Sequence, residues 1–251
     1  VKLNIRSEDI AFGENIVNVE VPDALKVKVR SNLDYFDCAL GGQGFTPSQA
    51  SLFTGTPGAG KTTMMLTLAN SLTRSGASVI FNTAEESLYQ VKMVTERLAL
   101  GSGFGVGQET HIPTLLKACD AVRKRDAGRP FFLIVDSLQC MDDGHYPDGQ
   151  TNSRSAERAL SLLTDYCKEH YVNVVVIGQV TKDGKMAGTQ KLKHMVDTML
   201  HLSIEEKDPD LRGCRVLQTV KNRFGGADAT FYLAMGPKGF KEVARISAHG
   251  T

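Results

Sequence analysis

The chain has 251 residues, of which 41% are hydrophobic, enough to bury one good core, so a single main domain is expected. Its 29 Lys and Arg against 28 Asp and Glu give a formal charge of +1, which excludes a global basic field for nucleic acid and confines any such site to a local patch. No stretch approaches the roughly 18 apolar residues of a membrane helix and residues 1–30 lack a signal-peptide core, so a cytoplasmic protein with no membrane partner is expected.

Residues 1–30 are expected to form an N-terminal arm or small hairpin, ahead of a core at 31–251. Val17-Asn18-Val19-Glu20-Val21 and Lys26-Val27-Lys28-Val29-Arg30 alternate apolar and polar about a turn at Pro22-Asp23, as a strap onto a neighbouring subunit or a cover over the core would. A short helix follows, with Leu33, Phe36 and Leu40 on one face and Gly41-Gly42-Gln43-Gly44 at its end. Residues 50–54 form the first core strand. The next helix carries Met65, Leu68, Ala69 and Leu72 on one stripe. A strand at 78–82 delivers Thr83-Ala84-Glu85-Glu86, and a helix with Leu88, Val91, Val94 and Leu98 inward follows. Residues 101–107 read as a flexible glycine connection. Helix 112–125 ends on Arg123, Lys124 and Arg125, cations that complement a helix C-terminus.

Phe131-Phe132-Leu133-Ile134-Val135-Asp136 is an apolar run closed by a carboxylate, the pattern of a central parallel strand. A polar loop at 139–152 leads to a helix with Ala156, Leu160, Leu163 and Cys167 inward, and a strand at 172–177 ends on Gly178-Gln179. After a polar loop at 181–190, segments 198–204, 215–222, 229–235 and 239–243 read as closing strands joined by short loops and therefore antiparallel. Strands alternating with helices, then strands alone, give an α/β fold: a mostly parallel central sheet flanked by helices, with antiparallel C-terminal edge strands. The five cysteines are widely spaced and never form a C-x-x-C pair, which argues against zinc and disulfides. Cys119 and Cys167 read as small buried thiols.

Gly55-Thr56-Pro57-Gly58-Ala59-Gly60-Lys61-Thr62 fits G-x-x-x-x-G-K-[ST] between a strand and a helix. Glycines let consecutive N–H groups turn inward, and the following helix N-terminus adds positive potential. With Thr63 the stretch is the expected ATP-binding loop: Lys61 reaches the β- and γ-phosphates and the Thr62 hydroxyl ligates Mg²⁺. Asp136, ending a buried strand at the edge where ligands collect, is the second metal residue, acting through water. Glu85 is placed to polarise an attacking water, with Glu86 as the alternative. Gln179 ends another central strand at the same edge, where an amide can sense the γ-phosphate.

Several stretches resemble the bacterial RadA repair ATPases, a branch of the RecA-like family. They are the phosphate loop, Thr83-Ala84-Glu85-Glu86-Ser87, Val135-Asp136-Ser137, Gln179-Val180-Thr181-Lys182-Asp183-Gly184, His194-Met195-Val196-Asp197-Thr198 and Lys221-Asn222-Arg223-Phe224-Gly225. The last pentapeptide is a hallmark of that branch. The resemblance implies a RecA core with one strand between the Asp136 strand and the phosphate-loop strand, and ATP hydrolysis coupled to work on single-stranded DNA. It implies that Glu85 is the water-activating glutamate. Gln179 stands where RecA has its sensor and RadA proteins more often have His. Lys221 and Arg223 match cations that reach into a neighbouring subunit's ATP. The zinc module and protease-like domain of RadA proteins have no counterpart in this sequence, so the expectation is an ATPase core alone.

DNA contact is expected on the loops after Asp136 and Gln179. The second carries Lys182, Lys185, Lys191 and Lys193. The first offers His145, Tyr146 and Arg154, with Tyr146 able to stack on a base, although Asp142, Asp143 and Asp148 oppose phosphate attraction. The reading is a DNA-stimulated ATP hydrolase of recombinase or helicase type, with ATP and Mg²⁺ at the junctions of a homo-oligomeric ring or filament. A KaiC-like nucleotide switch that binds protein partners instead of DNA is the alternative.

Overall fold

The computed structural model describes residues 10–147, 149–152, 154–179, 189–226 and 229–247. Nine strands form one sheet: β1 (Ala50–Gly55), β2 (Ser78–Thr83), β3 (Gly105–Gly107), β4 (Phe131–Asp136), β5 (Asn173–Gln179), β6 (Thr198–Ile204), β7 (Arg215–Asn222), β8 (Ala229–Gly236) and β9 (Gly239–Ser247). Their order is β3-β2-β4-β5-β1-β6-β7-β8-β9. The helices are α1 (Asp34–Ala39), α2 (Lys61–Arg74), α3 (Leu88–Arg97), α4 (Ile112–Arg125), α5 (Ser155–Glu169) and α6 (Thr189–Met195).

The central strands read as unbroken apolar runs because both their faces are covered. Successive side chains point to opposite faces. Phe53, Phe132, Ile134, Val175 and Ile177 therefore join α1 and α2 in one core cluster. Leu52, Leu133, Val135, Val174 and Val176 pack with α4 and α5 in the other. Within α2 the expected stripe of Met65, Leu68, Ala69 and Leu72 is fully buried, and Met64 and Leu66 are buried beside it.

Four local expectations are corrected. Residues 16–18 and 23–25 form 3₁₀ turns instead of a hairpin, and Val17 and Val21 are exposed. Val29 makes a two-way bridge to Phe45, with N···O distances of 2.8 Å in each direction. Gly44 allows that approach: its φ is +79° and a Cβ there would sit 2.3 Å from the Val29 carbonyl. The glycine connection contains β3, parallel to β2 at the sheet edge. The polar loop at 181–190 gives way to α6 at Thr189. Finally β6 is parallel to β1 and only β7, β8 and β9 are antiparallel to their neighbours. The connection from Gln179 to Thr198 is long enough to return to the starting edge, as a parallel crossover requires.

β5 lies between β4 and β1, so one strand separates Asp136 from the phosphate loop. Register then aligns the strand ends, with Gly55 opposite Gln179 and Thr83 opposite Asp136. The other edge gathers different residues: Lys221 pairs with Met199 and Asn222 with Thr198, at the start of β6.

Candidate active site

The phosphate loop leaves β1 at Gly55, where the Thr56 N–H donates to the Leu202 carbonyl of β6 at 3.0 Å. Gly58 and Gly60 adopt φ values of +76° and +99°. At Gly60 the conformation favours glycine, and a Cβ would also press on Phe240 at 3.0 Å and the Met235 sulfur at 3.2 Å. Arg215 Nε donates to the Ala59 carbonyl at 3.2 Å and steadies the outer turn. Helix α2 begins at Lys61, which places its free N–H groups and positive end at the loop.

A cavity of about 370 Å³ opens there, lined by Pro57, Gly58 and Gly60, by Lys61, Thr62 and Thr63, and by Glu85, Asp136 and Gln179. A larger cavity of about 1010 Å³, lined by Arg30, Arg129, Phe131 and Asn173, lies at the starting edge of the strands, away from these groups. Its Arg129 is occupied internally, donating to the Gly76 and Ala77 carbonyls at 2.9 and 2.7 Å.

Lys61 Nζ donates to the Gly55 and Thr56 carbonyls at 3.0 and 3.2 Å. Burial lowers its pKa, against the opposing pull of Asp136 and Glu85. Thr62 Oγ1 donates to Asp136 Oδ2 at 2.7 Å. Asp136 is only 5% exposed, and burial first, then Glu85 and Glu86, push its pKa up to about 6 against the Thr62 hydrogen bond and Lys61. A hydroxyl and a carboxylate side by side at the loop form the oxygen donor set that suits Mg²⁺, which keeps several waters and takes phosphate oxygens. Among the described residues no group of three or more His, Cys, Asp or Glu could cage a metal with side chains alone.

The raised pKa of Asp136 implies a pH dependence of stability with a definite sign. The folded chain binds this proton more tightly than the unfolded chain, so protonation contributes stability that is complete below pH ~4 and lost as pH rises through ~6. Urea unfolding of the nucleotide-free protein should show Asp136→Asn gaining about 2 kcal/mol on the wild type between pH ~4.5 and ~7.5. A constant difference would contradict the buried, raised carboxyl.

Glu85 Oε1 accepts from Ser137 Oγ and from Gln179 Nε2, with Cys140 Sγ 3.6 Å away. Gln139 in turn brackets the Gln179 backbone, accepting its N–H at 3.1 Å and donating to its carbonyl at 3.4 Å. Glu86 instead bonds through its backbone to Thr83 Oγ1 and precedes the Ser87–Gln90 capping box of α3. Glu85 lines the cavity and Glu86 does not. Gln139 and Cys140 have no sequence signal, and Ser137 none beyond its place in the Val135-Asp136-Ser137 stretch. His201, beside the loop strand, has none either; it pairs with Thr54 Oγ1 at 2.9 Å, and burial, aided by Lys61, lowers its pKa.

The remaining predicted residues are not gathered at this cavity. Lys221 Nζ donates to the Lys193 and Val196 carbonyls at 2.8 and 2.6 Å, and Arg223 Nη1 donates to Asp197 at 3.0 Å. Lys191 is paired with Glu157, and Lys193 is half-buried. Tyr146 packs edge-on to His145 at 4.7 Å, lies under Arg158 at 5.7 Å, and its hydroxyl accepts from Asn152 at 2.8 Å. Arg154 is exposed at the start of α5. Arg158 of α5 also pairs with Asp143, so that loop acid is neutralised by the helix that follows. Lys182, Lys185 and Asp148 lie outside the described residues.

A phosphate loop between β1 and α2, an acidic strand end one strand away and a glutamate ending the β2 segment define a RecA-like P-loop fold. A solved ATPase domain superposes with a TM-score of 0.74 at 13% identity, covering 88% of this chain and 93% of that one. A DnaB-like replicative helicase superposes at 0.73, also at 13% identity, covering 85% and 61%. No protein-family model matches the chain. In sequence it is similar to DNA repair protein RadA of Haemophilus influenzae, 35% identical over 222 residues, 87% of this chain and 45% of the relative. RadA of Mycobacterium tuberculosis is 32% identical over 229 residues, 89% and 45%, and RadA of Streptococcus pneumoniae 29% over 239 residues, 94% and 54%. The chain spans about half the length of these curated relatives. Fold and sequence together fit a RadA-like ATPase core. Among the described residues no helix is long and apolar enough to cross a membrane.

Proposed function

We propose that the chain hydrolyses ATP in DNA recombination or repair, binding single-stranded DNA and using subunit junctions of a homo-oligomeric ring or filament for strand exchange, translocation or unwinding. The observation that carries the reading is one cavity shared by Lys61, the Thr62–Asp136 pair and Glu85. The loop N–H groups and Lys61 bind the triphosphate, Lys61 exchanging two neutral carbonyls for anionic oxygens, a stronger kind of bond. Glu85, aimed by Ser137 and Gln179, polarises the attacking water. Mg²⁺ held by Thr62 and Asp136 would supply charge neutralisation on the phosphates.

Gln179, which bonds that glutamate, is the last residue of β5, directly ahead of the stretch expected from the sequence to meet DNA. Lys221 and Arg223 sit at the far ends of the strands from Gly55, which supports a role in a neighbour's cavity. The names and folds of the relatives support a DNA-linked ATPase. The test is turnover with and without single-stranded oligonucleotide. Stimulation that weakens steeply between about 50 and 200 mM salt is expected, as loss of phosphate contacts demands. Turnover indifferent to DNA would refute this reading in favour of a KaiC-like switch acting on protein partners.

A further inference from the structure

Both cations assigned to the neighbour's ATP are received by one short stretch, residues 193–197. Lys221 Nζ is bound by the Lys193 and Val196 carbonyls. Asp197 receives Arg223 twice, its carbonyl accepting the Arg223 N–H at 3.0 Å and its Oδ1 accepting Nη1 at 3.0 Å. The Asp197 side chain is 3% exposed. Its other oxygen accepts the Ala50 N–H at 3.0 Å and the Lys168 ammonium, while the Asp197 N–H donates to the Ala50 carbonyl at 2.9 Å. Asp197 is therefore tied through both backbone and side chain to the first residue of the strand that ends in the phosphate loop.

Charge balance says what Arg223 is doing there. Lys168, with its side chain 17% exposed, already neutralises the buried carboxylate, whereas the Arg223 side chain is 53% exposed. The second cation is not needed to stabilise the anion, and a guanidinium has donors beyond the Nη1 that Asp197 holds. We propose that Asp197 is a positioning residue: it aims Arg223, and through the same turn Lys221, at the phosphate loop of the next copy. This rests on the reading that these two cations act across a junction. A two-point hold on Arg223, through backbone and side chain, restricts a long side chain that would otherwise sample many rotamers.

The experiment uses the full chain. Asp197→Asn keeps an acceptor for Ala50 but loses the charge that holds the guanidinium. Turnover should fall about tenfold or more while affinity for a fluorescent ATP analogue stays within about twofold. A residue that merely supports its own fold would give the same loss, so the variant is mixed with Glu85→Gln protein, which cannot hydrolyse but carries intact Arg223 and Lys221. Recovery of turnover in the mixture is expected, because Asp197→Asn cavities then face correctly aimed cations. Lys221→Ala mixed with Glu85→Gln is the reference. Recovery there without recovery for Asp197→Asn overturns the positioning role and leaves the junction intact. Failure of both mixtures overturns the junction reading and this proposal with it, as does undiminished turnover of Asp197→Asn alone. If Asp197→Asn does not fold because Lys168 is left unpaired, Lys168→Met/Asp197→Asn removes both buried charges and enters the same mixtures with the same outcomes.

Discussion

Glu85→Gln is expected to lower ATP turnover by about 10³-fold while nucleotide affinity changes by less than about twofold. The substitution is nearly isosteric, and the new amide oxygen can still accept from Ser137 and Gln179, which converge on Glu85 Oε1. The loop, Lys61 and the Thr62–Asp136 pair keep their geometry, so the groups that bind triphosphate are untouched. What is lost is a carboxylate that can take a proton from water, a contribution of about 10²–10⁴ in general base catalysis, here put at roughly 10³. Phosphate release under single turnover, beside equilibrium binding of a nucleotide analogue, separates the two effects. Glu86→Gln provides the comparison. Its side chain does not line the cavity, and near-normal turnover is expected; a collapse there with Glu85→Gln active would reverse the assignment.

The contrast between these two glutamates shows how far the sequence could be read. An apolar run that stops at a polar residue marks the end of a buried parallel strand, which is why Gly55, Asp136 and Gln179 were legible as one sheet edge. Adjacent Glu85 and Glu86 share that signal, and only the Thr83 hydroxyl, bonded to the Glu86 backbone on both sides, decides which of them faces the loop. Residues 17–21 failed for a related reason. Period-2 alternation defines two faces but supplies no partner strand, and in the folded chain Val17 and Val21 face solvent. β3 is too short and too rich in glycine to announce itself. Among the described residues of α6 only Leu192 is buried, too little to make an apolar stripe. Asp197 could be noticed within its motif, but its partners, Ala50, Lys168 and Arg223, are brought together by β1, α5 and the end of β7, and spacing along the chain carries no trace of that.

Lys221→Ala is expected to leave nucleotide affinity unchanged within about twofold and to reduce turnover about 10³-fold, the effect of removing a cation that neutralises charge in phosphoryl transfer. Binding survives because Lys221 lies opposite Met199, near the start of β6, whereas Gly55 closes the other end of the neighbouring strand. In the single chain its ammonium caps the Lys193 and Val196 carbonyls next to the end of α6. Removing that cap lowers stability by about 1 kcal/mol, a small shift in Tm that cannot explain a thousandfold loss of rate. Exchanging two neutral carbonyls for phosphate oxygens of the next copy is favourable in the anionic cleft of a junction. The wild type should therefore gain specific activity as protein concentration rises and junctions form, and the variant should stay flat across the same range. Equal, concentration-independent turnover of both proteins would mean that each copy completes its own site, and the assignment of Lys221 to a neighbour would be wrong.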